Sequence, residues 1–201
     1  MNRRDFLKGA SAAIVPAALP GGLWTPARPA PSAGAAARVA QQVAPITAVV
    51  FDERYPDCRI FAETLSRRGA KAFATNQDAV QLWYGPLRAY LAQHSGGVAG
   101  LTTYADFSVS QACGRELKLT PIHEGEHDAR RSRAELAHRL RTVADDSEFA
   151  AAFGGVSWAA GLAEALDRLP TPPVGAPARL VTASTPRSEG HPDYLNSWLL
   201  S

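Results

Sequence analysis

Ile46-Thr47-Ala48-Val49-Val50-Phe51 is an unbroken run of apolar and β-branched residues that stops abruptly at Asp52-Glu53-Arg54. A run without polar alternation reads as a strand covered on both faces, as in parallel sheets. Downstream the period changes. Cys58, Phe61, Ala62 and Leu65 fall at i, i+3, i+4 and i+7, one face of a helix, while Arg59, Glu63 and Arg67 occupy the other. Gly69 is a natural helix stop, and Ala70–Thr75 reads as a second short strand. Strand, helix, strand at this spacing is a βαβ unit.

The alternation continues along the chain. Asp78 caps a helix expected to turn Val80, Trp83, Leu87, Tyr90 and Leu91 inward and to kink at Gly85-Pro86. Residues 98–103 form a third strand, 105–116 a helix with Val109, Ala112 and Cys113 inward, and 117–122 a fourth strand. Ser132 and Glu135 have the spacing of a capping box ahead of Leu136, Leu140 and Val143, which predicts a helix there. Trp158, Leu162, Leu166 and Leu169 mark another helix; the prolines between 170 and 177 mark a loop. Residues 179–184 are a fifth strand, and 194–200 a short closing strand or docked tail. The expected fold class is α/β: one domain over residues 45–201, three layers around a mostly parallel sheet, Rossmann- or flavodoxin-like in outline. Trp83, Trp158 and Trp198 fit apolar stripes and are expected in the core.

The N-terminus has a different character. Asn2-Arg3-Arg4-Asp5-Phe6-Leu7-Lys8 precedes a weakly apolar segment, Ala10 to Leu23, and then a Pro/Ala-rich run containing Ala33-Gly34-Ala35. This order of basic, apolar and small-residue regions resembles a twin-arginine export signal. The resemblance implies that Arg3 and Arg4 are read by the twin-arginine translocase and that residues 1–35 are the signal peptide. Residues 36–44 then form a flexible lead-in, and the protein is periplasmic or secreted, crossing the membrane already folded. Pro16 and Pro20 interrupt the apolar segment, which is shorter than the roughly 20 residues of a membrane span; no stable span is expected after cleavage.

The whole chain carries 21 basic and 19 acidic residues. Residues 1–35 hold four of the bases (Arg3, Arg4, Lys8, Arg28) and one acid (Asp5), so the remaining 166 residues have 17 and 18. The basicity belongs to the signal, and no nucleic-acid partner is implied. Cys58 and Cys113 are the only cysteines. An oxidising compartment favours a disulfide, whereas their places on apolar helix stripes favour two buried thiols.

If the sheet is parallel, three strand ends share one edge, where ligands bind in open α/β sheets. They would bring together Asp52, Glu53 and Arg54; Thr102, Thr103 and Tyr104; and His123, Glu124, Glu126 and His127. Glu53, Arg54, Thr102, Thr103 and Tyr104 are the expected ligand-binding residues. His123-Glu124-Gly125-Glu126-His127 fits H-E-x-x-H and resembles zinc metallopeptidases in this pentapeptide alone; that resemblance implies His123 and His127 as metal ligands and Glu124 as the group polarising water. Pro121 and Gly125 oppose the helix it needs, and a third ligand is unassigned, Glu148 being a distant candidate. Ala48–Asp52 is similar to the opening strand of haloacid-dehalogenase-type phosphatases, which implies Asp52 as nucleophile, but Arg54 stands where their acid/base aspartate belongs. G-x-G-x-x-G, the P-loop, G-x-S-x-G and C-x-x-C are all absent.

These observations favour an exported accessory or ligand-binding protein, an escort or subunit of a co-exported redox enzyme. The alternative is a periplasmic hydrolase, assisted by a divalent metal on His123 and His127 or using Asp52. No specific cofactor is named by the sequence.

Overall fold

The computed structural model describes residues 44–76, 78–142, 146–169 and 177–201. The expected export signal with Arg3 and Arg4, residues 36–43 of the expected lead-in, and the proline-rich stretch 170–176 lie outside the described residues, as does the Glu148 side chain.

Strands β1 (Ile46–Phe51), β2 (Lys71–Ala74) and β3 (Gly97–Thr102) run parallel in the order β2-β1-β3. Helix α1 (Pro56–Ser66) joins β1 to β2. A kinked helical segment joins β2 to β3: α2 (Ala79–Leu82), a π-turn over Trp83–Leu87, and α3 (Arg88–Leu91). The kink falls at Gly85, whose φ and ψ leave the helical region just before Pro86; proline there removes a backbone donor and clashes with the preceding turn. Asp78 accepts a hydrogen bond from the Gln81 N–H as the cap, at 2.8 Å. Val80, expected inward, is half exposed.

Beyond β3 the sheet departs from expectation. After α4 (Tyr104–Glu116) come β4 (Pro121–Asp128), β5 (Glu135–Thr142), α5 (Asp146–Phe153), α6 (Trp158–Asp167), β6 (Arg179–Pro186) and β7 (Tyr194–Leu200). The order of all seven strands is β2-β1-β3-β7-β4-β5-β6, and every pair from β3·β7 onward is antiparallel. The mostly parallel, Rossmann-like three-layer arrangement is therefore incorrect. The sheet is mixed, with two parallel pairs and four antiparallel ones. The C-terminal strand causes this: β7 is no peripheral tail but inserts between β3 and β4, joining the parallel half to an antiparallel half.

Two further corrections share a cause. The helix expected after Ser132 is strand β5, because Leu136 and Leu140 satisfy period 2 as well as period 3.6. His138 and Thr142 complete the buried row, with Glu135, Ala137, Arg139 and Arg141 exposed between them. The Ser132 hydroxyl does accept from the Ala134 and Glu135 N–H groups, yet it caps a hairpin loop. Likewise His123–His127 does not follow a strand but lies within β4.

Two cores flank the sheet. One packs α1, α5 and α6 against it through Phe61, Leu65, Phe149, Trp158 and Leu162. The other packs Leu82, Trp83, Leu87 and Cys113 against Val50, Val98, Trp198 and Leu200. On this second side the helices stop at β7. Among the described residues no helix covers the outer face of β4, β5 and β6. No described helix is long and apolar enough to cross a membrane.

Candidate functional site

The ends of β1 and β3 come together as expected. Helix α1 leaves β1 on one face and α4 leaves β3 on the other, so a crevice opens between adjacent strands at a topological switch point. Asp52, 1 % exposed, stands there. Both its carboxylate oxygens are taken by Arg54, which donates from its backbone N–H (3.1 Å), Nε (2.9 Å) and Nη2 (2.5 Å). The residue that breaks the phosphatase pattern thus neutralises the would-be nucleophile. Behind it, burial and the Asp52 charge push the Asp106 carboxyl above its usual range. Thr102 faces the second core, its hydroxyl accepting from Trp198 Nε1 at 3.3 Å. Thr103 is the N-cap of α4, and its side chain makes no hydrogen bond to the helix backbone but bonds to the Asp106 side chain. The Glu53 carbonyl accepts from Arg59.

The same clasp recurs at the end of β4. Asp128 receives Arg130 through its backbone N–H, Nε and Nη2 at 2.8–2.9 Å. That guanidinium holds the Asp128 carboxyl down to about 2. β1 and β4 run in the same direction, so both Asp-x-Arg clasps close strands on one edge of the sheet.

The H-E-x-x-H residues are not brought together. Four residues along a strand span about 13 Å, too far for His123 and His127 to share an ion. Glu124 projects from the opposite face, because successive strand side chains alternate. Both imidazoles instead enter the first core. His123 Nε2 lies 2.9 Å from Ser197 Oγ and its ring stacks on Phe149; His127 packs against Trp158. Two histidines the sequence reading passed over join them, His138 on β5 and His191 before β7. Burial lowers His123 and His138 to about 3 each and His127 well below its ordinary value. Among the described residues no three His, Cys, Asp or Glu groups are placed to hold a metal ion.

The uncovered half of the sheet carries the other arrangement with chemical capacity. Its side chains form two rows. Asn196, Glu126, Arg139 and Thr182 stand opposite one another across β7, β4, β5 and β6; Trp198, Glu124, Arg141 and Leu180 form the next row. The first turn of α4 overhangs them with Tyr104 and Phe107, leaving a cleft of about 390 Å³. Glu126 and Arg139 are ion-paired. Glu124 and Arg141, though directly opposite, have no ion-pair partner among the described residues. Asn196, 4 % exposed, donates through Nδ2 to the Gly125 carbonyl, and its Oδ1 has no partner among the described residues. Of these residues the sequence reading had picked out Glu124, Glu126 and Tyr104. The period-2 spacing of Arg139 and Arg141, and of Asn196 and Trp198, was the signal available for the rest.

No protein-family model, curated protein or solved structure matches this chain.

Proposed function

We propose that this is an exported binding protein that takes a small polar molecule in the cleft under Tyr104 and Phe107. The observation carrying the reading is Asn196 Oδ1, a buried acceptor that has no partner among the described residues, in a cleft that also holds a carboxylate and a guanidinium unpaired among those residues. A buried polar atom left unsatisfied costs about 1–3 kcal/mol, a cost that a ligand donor relieves. The volume lies within the range of small-molecule sites.

The hydrolase alternative has less support. Asp52 is clasped by Arg54, and Glu124 is separated by the sheet from the neutral, buried His123 and His127. Export itself rests on Arg3, Arg4 and the segment after them.

Two measurements test the proposal. A reporter fused to residues 1–35 should be exported, and Arg3→Lys with Arg4→Lys should retain it inside the cell. Native mass spectrometry of the protein recovered after export should show a small molecule bound, lost in an Arg141→Gln, Glu124→Gln variant. Protein that carries nothing, and gains no thermal stability from any small-molecule fraction, refutes the binding role.

A further inference from the structure

Resting on that binding reading, we infer that the ligand is a small zwitterion: an ammonium and a carboxylate on an apolar body, as in an apolar amino acid or short peptide. Four charged side chains meet in the cleft, two acidic and two basic. Glu126 and Arg139 neutralise one another and form a fixed border. Arg141 and Glu124 remain, one of each sign, on neighbouring strands in the same row.

The complement of such a pair is another pair. Arg141 presents a planar donor fork suited to a carboxylate. Glu124 accepts from an ammonium, and Asn196, diagonal to it across β7 and β4, holds in Oδ1 a second acceptor that has no partner among the described residues. Phe107, Tyr104 and Leu180 line the rest of the cleft and offer apolar surface to the ligand's body. Leu180 is 67 % exposed and Tyr104 63 %, surface that a ligand would remove from water.

The same arrangement disfavours ligands of one charge. A simple acid bound at Arg141 lies beside the Glu124 carboxylate and leaves Asn196 Oδ1 without a donor. A simple amine at Glu124 lies beside the Arg141 guanidinium. Like-charge contact and an unpaired polar atom are the repulsive elements by which a site rejects near-analogues.

The test is isothermal titration of the purified domain, stripped of bound molecules by unfolding and refolding, with L-leucine and L-phenylalanine. Each is set beside the amine and the carboxylic acid that share its side chain. The amino acids should bind at least about tenfold more tightly than either analogue. Arg141→Gln should abolish the preference over the amine, and Glu124→Gln the preference over the acid. Both residues face solvent, so unchanged melting curves should show that the variants fold. An acid or amine that binds as well as the amino acid overturns the inference, as do Arg141→Gln and Glu124→Gln variants with unchanged affinities. If no amino acid binds but another compound does, and Arg141→Gln weakens it, the zwitterion is wrong and the cleft stands. If nothing binds, and wild-type protein is a dimer that Leu180→Glu converts to monomer, a second copy covers the face and both readings fall.

Discussion

His127 and His138 stand directly opposite one another on β4 and β5, with their Nδ1 atoms 2.7 Å apart inside the core. One of these nitrogens must donate and the other accept, so at least the accepting ring is neutral, and burial disfavours the charged form of both. His138 Nε2 is held by Thr185 Oγ1 at 2.8 Å, and His127 Nε2 has no partner among the described residues. Around them lie His123 from β4, and the buried pair His191 and Asp57 with Nε2 and Oδ2 3.9 Å apart.

Acid sensitivity follows from these rings. A histidine whose folded pKa is depressed binds its proton in the unfolded chain first. The stability it contributes is present above about 6.5, its unfolded value, and is lost as pH falls toward the folded value. For His123 and His138 that window runs from about 6.5 down to about 3. Each fully titrating ring contributes a slope of about 1.4 kcal/mol per pH unit. Asp57, raised by burial, works in the opposite sense, so the net slope is smaller than the histidine sum. Urea unfolding at pH 7, 6, 5 and 4 should show falling stability, and His123→Gln should flatten the curve. A pH-independent midpoint over that range would contradict the buried neutral rings.

The Arg54 clasp should be worth more than its exposed position suggests. Its side chain is 43 % exposed, but Arg54→Ala leaves the carboxylate of Asp52 buried with its main partner gone. A loss of about 2 kcal/mol is expected, against a smaller one for Arg130→Ala, where Arg130 is 58 % exposed and its ion pair is screened by solvent. Asp52→Asn combined with Arg54→Ala should recover part of that loss, because the uncompensated charge is gone. Chemical denaturation of the two single variants and the pair decides it.

The parallel half of the fold was legible because Ile46–Phe51 is apolar and β-branched without interruption and α1 beside it carries one clean stripe, Cys58, Phe61, Ala62 and Leu65, all buried. The antiparallel half was not, because its buried rows contain histidine, threonine and serine. His123, Gly125 and His127 point inward while Glu124 and Glu126 point outward, an alternation hidden by a wholly polar composition. Leu136 and Leu140 fit two periods equally, and the Ser132 capping signal tipped the choice to the wrong one. β7 shows a second limit. Its near-continuous burial signals a central strand, but nothing local names the neighbours that a C-terminal strand will pair with. For the site, the edge shared by Asp52 and Thr102 was foreseen from strand order, whereas the cleft depends on a sheet face left uncovered, which is a property of topology.

Cys58 and Cys113 should remain thiols even after export. Cys58 belongs to the core beneath α1 and Cys113 to the core on the opposite face, and both are free. A disulfide needs Cα atoms within about 7 Å, a condition that packing on opposite sides of the sheet opposes. Burial pushes the Cys58 thiol up, and the thiolate is the reactive species. Thiol titration of the exported protein should count two groups in denaturant, with Cys58 unreactive in the native state. A mass two units lower that shifts on reduction would contradict this placement.

Gly125 tests whether the inner row of β4 is as closely built as its polar residues suggest. A Cβ there would lie 2.3 Å from Ser197 Oγ, 2.8 Å from Leu140 Cδ2 and 3.2 Å from His123 Nε2. The hydroxyl it displaces is the one that meets His123, so Gly125→Ala adds a clash and removes a hydrogen bond at once. Overpacking of about 1–3 kcal/mol plus a lost bond of about 1 kcal/mol sets the expected cost. Ser197→Ala removes the clashing atom, so the double variant should cost clearly less than the two single losses together. Gly161→Ala on α6 provides the contrast: its Cβ would lie 1.9 Å from the Ala152 carbonyl oxygen, a backbone atom that no second substitution can trim. Denaturation midpoints showing strict additivity for Gly125→Ala with Ser197→Ala would mean that the histidine, the serine and the glycine do not share one packed row.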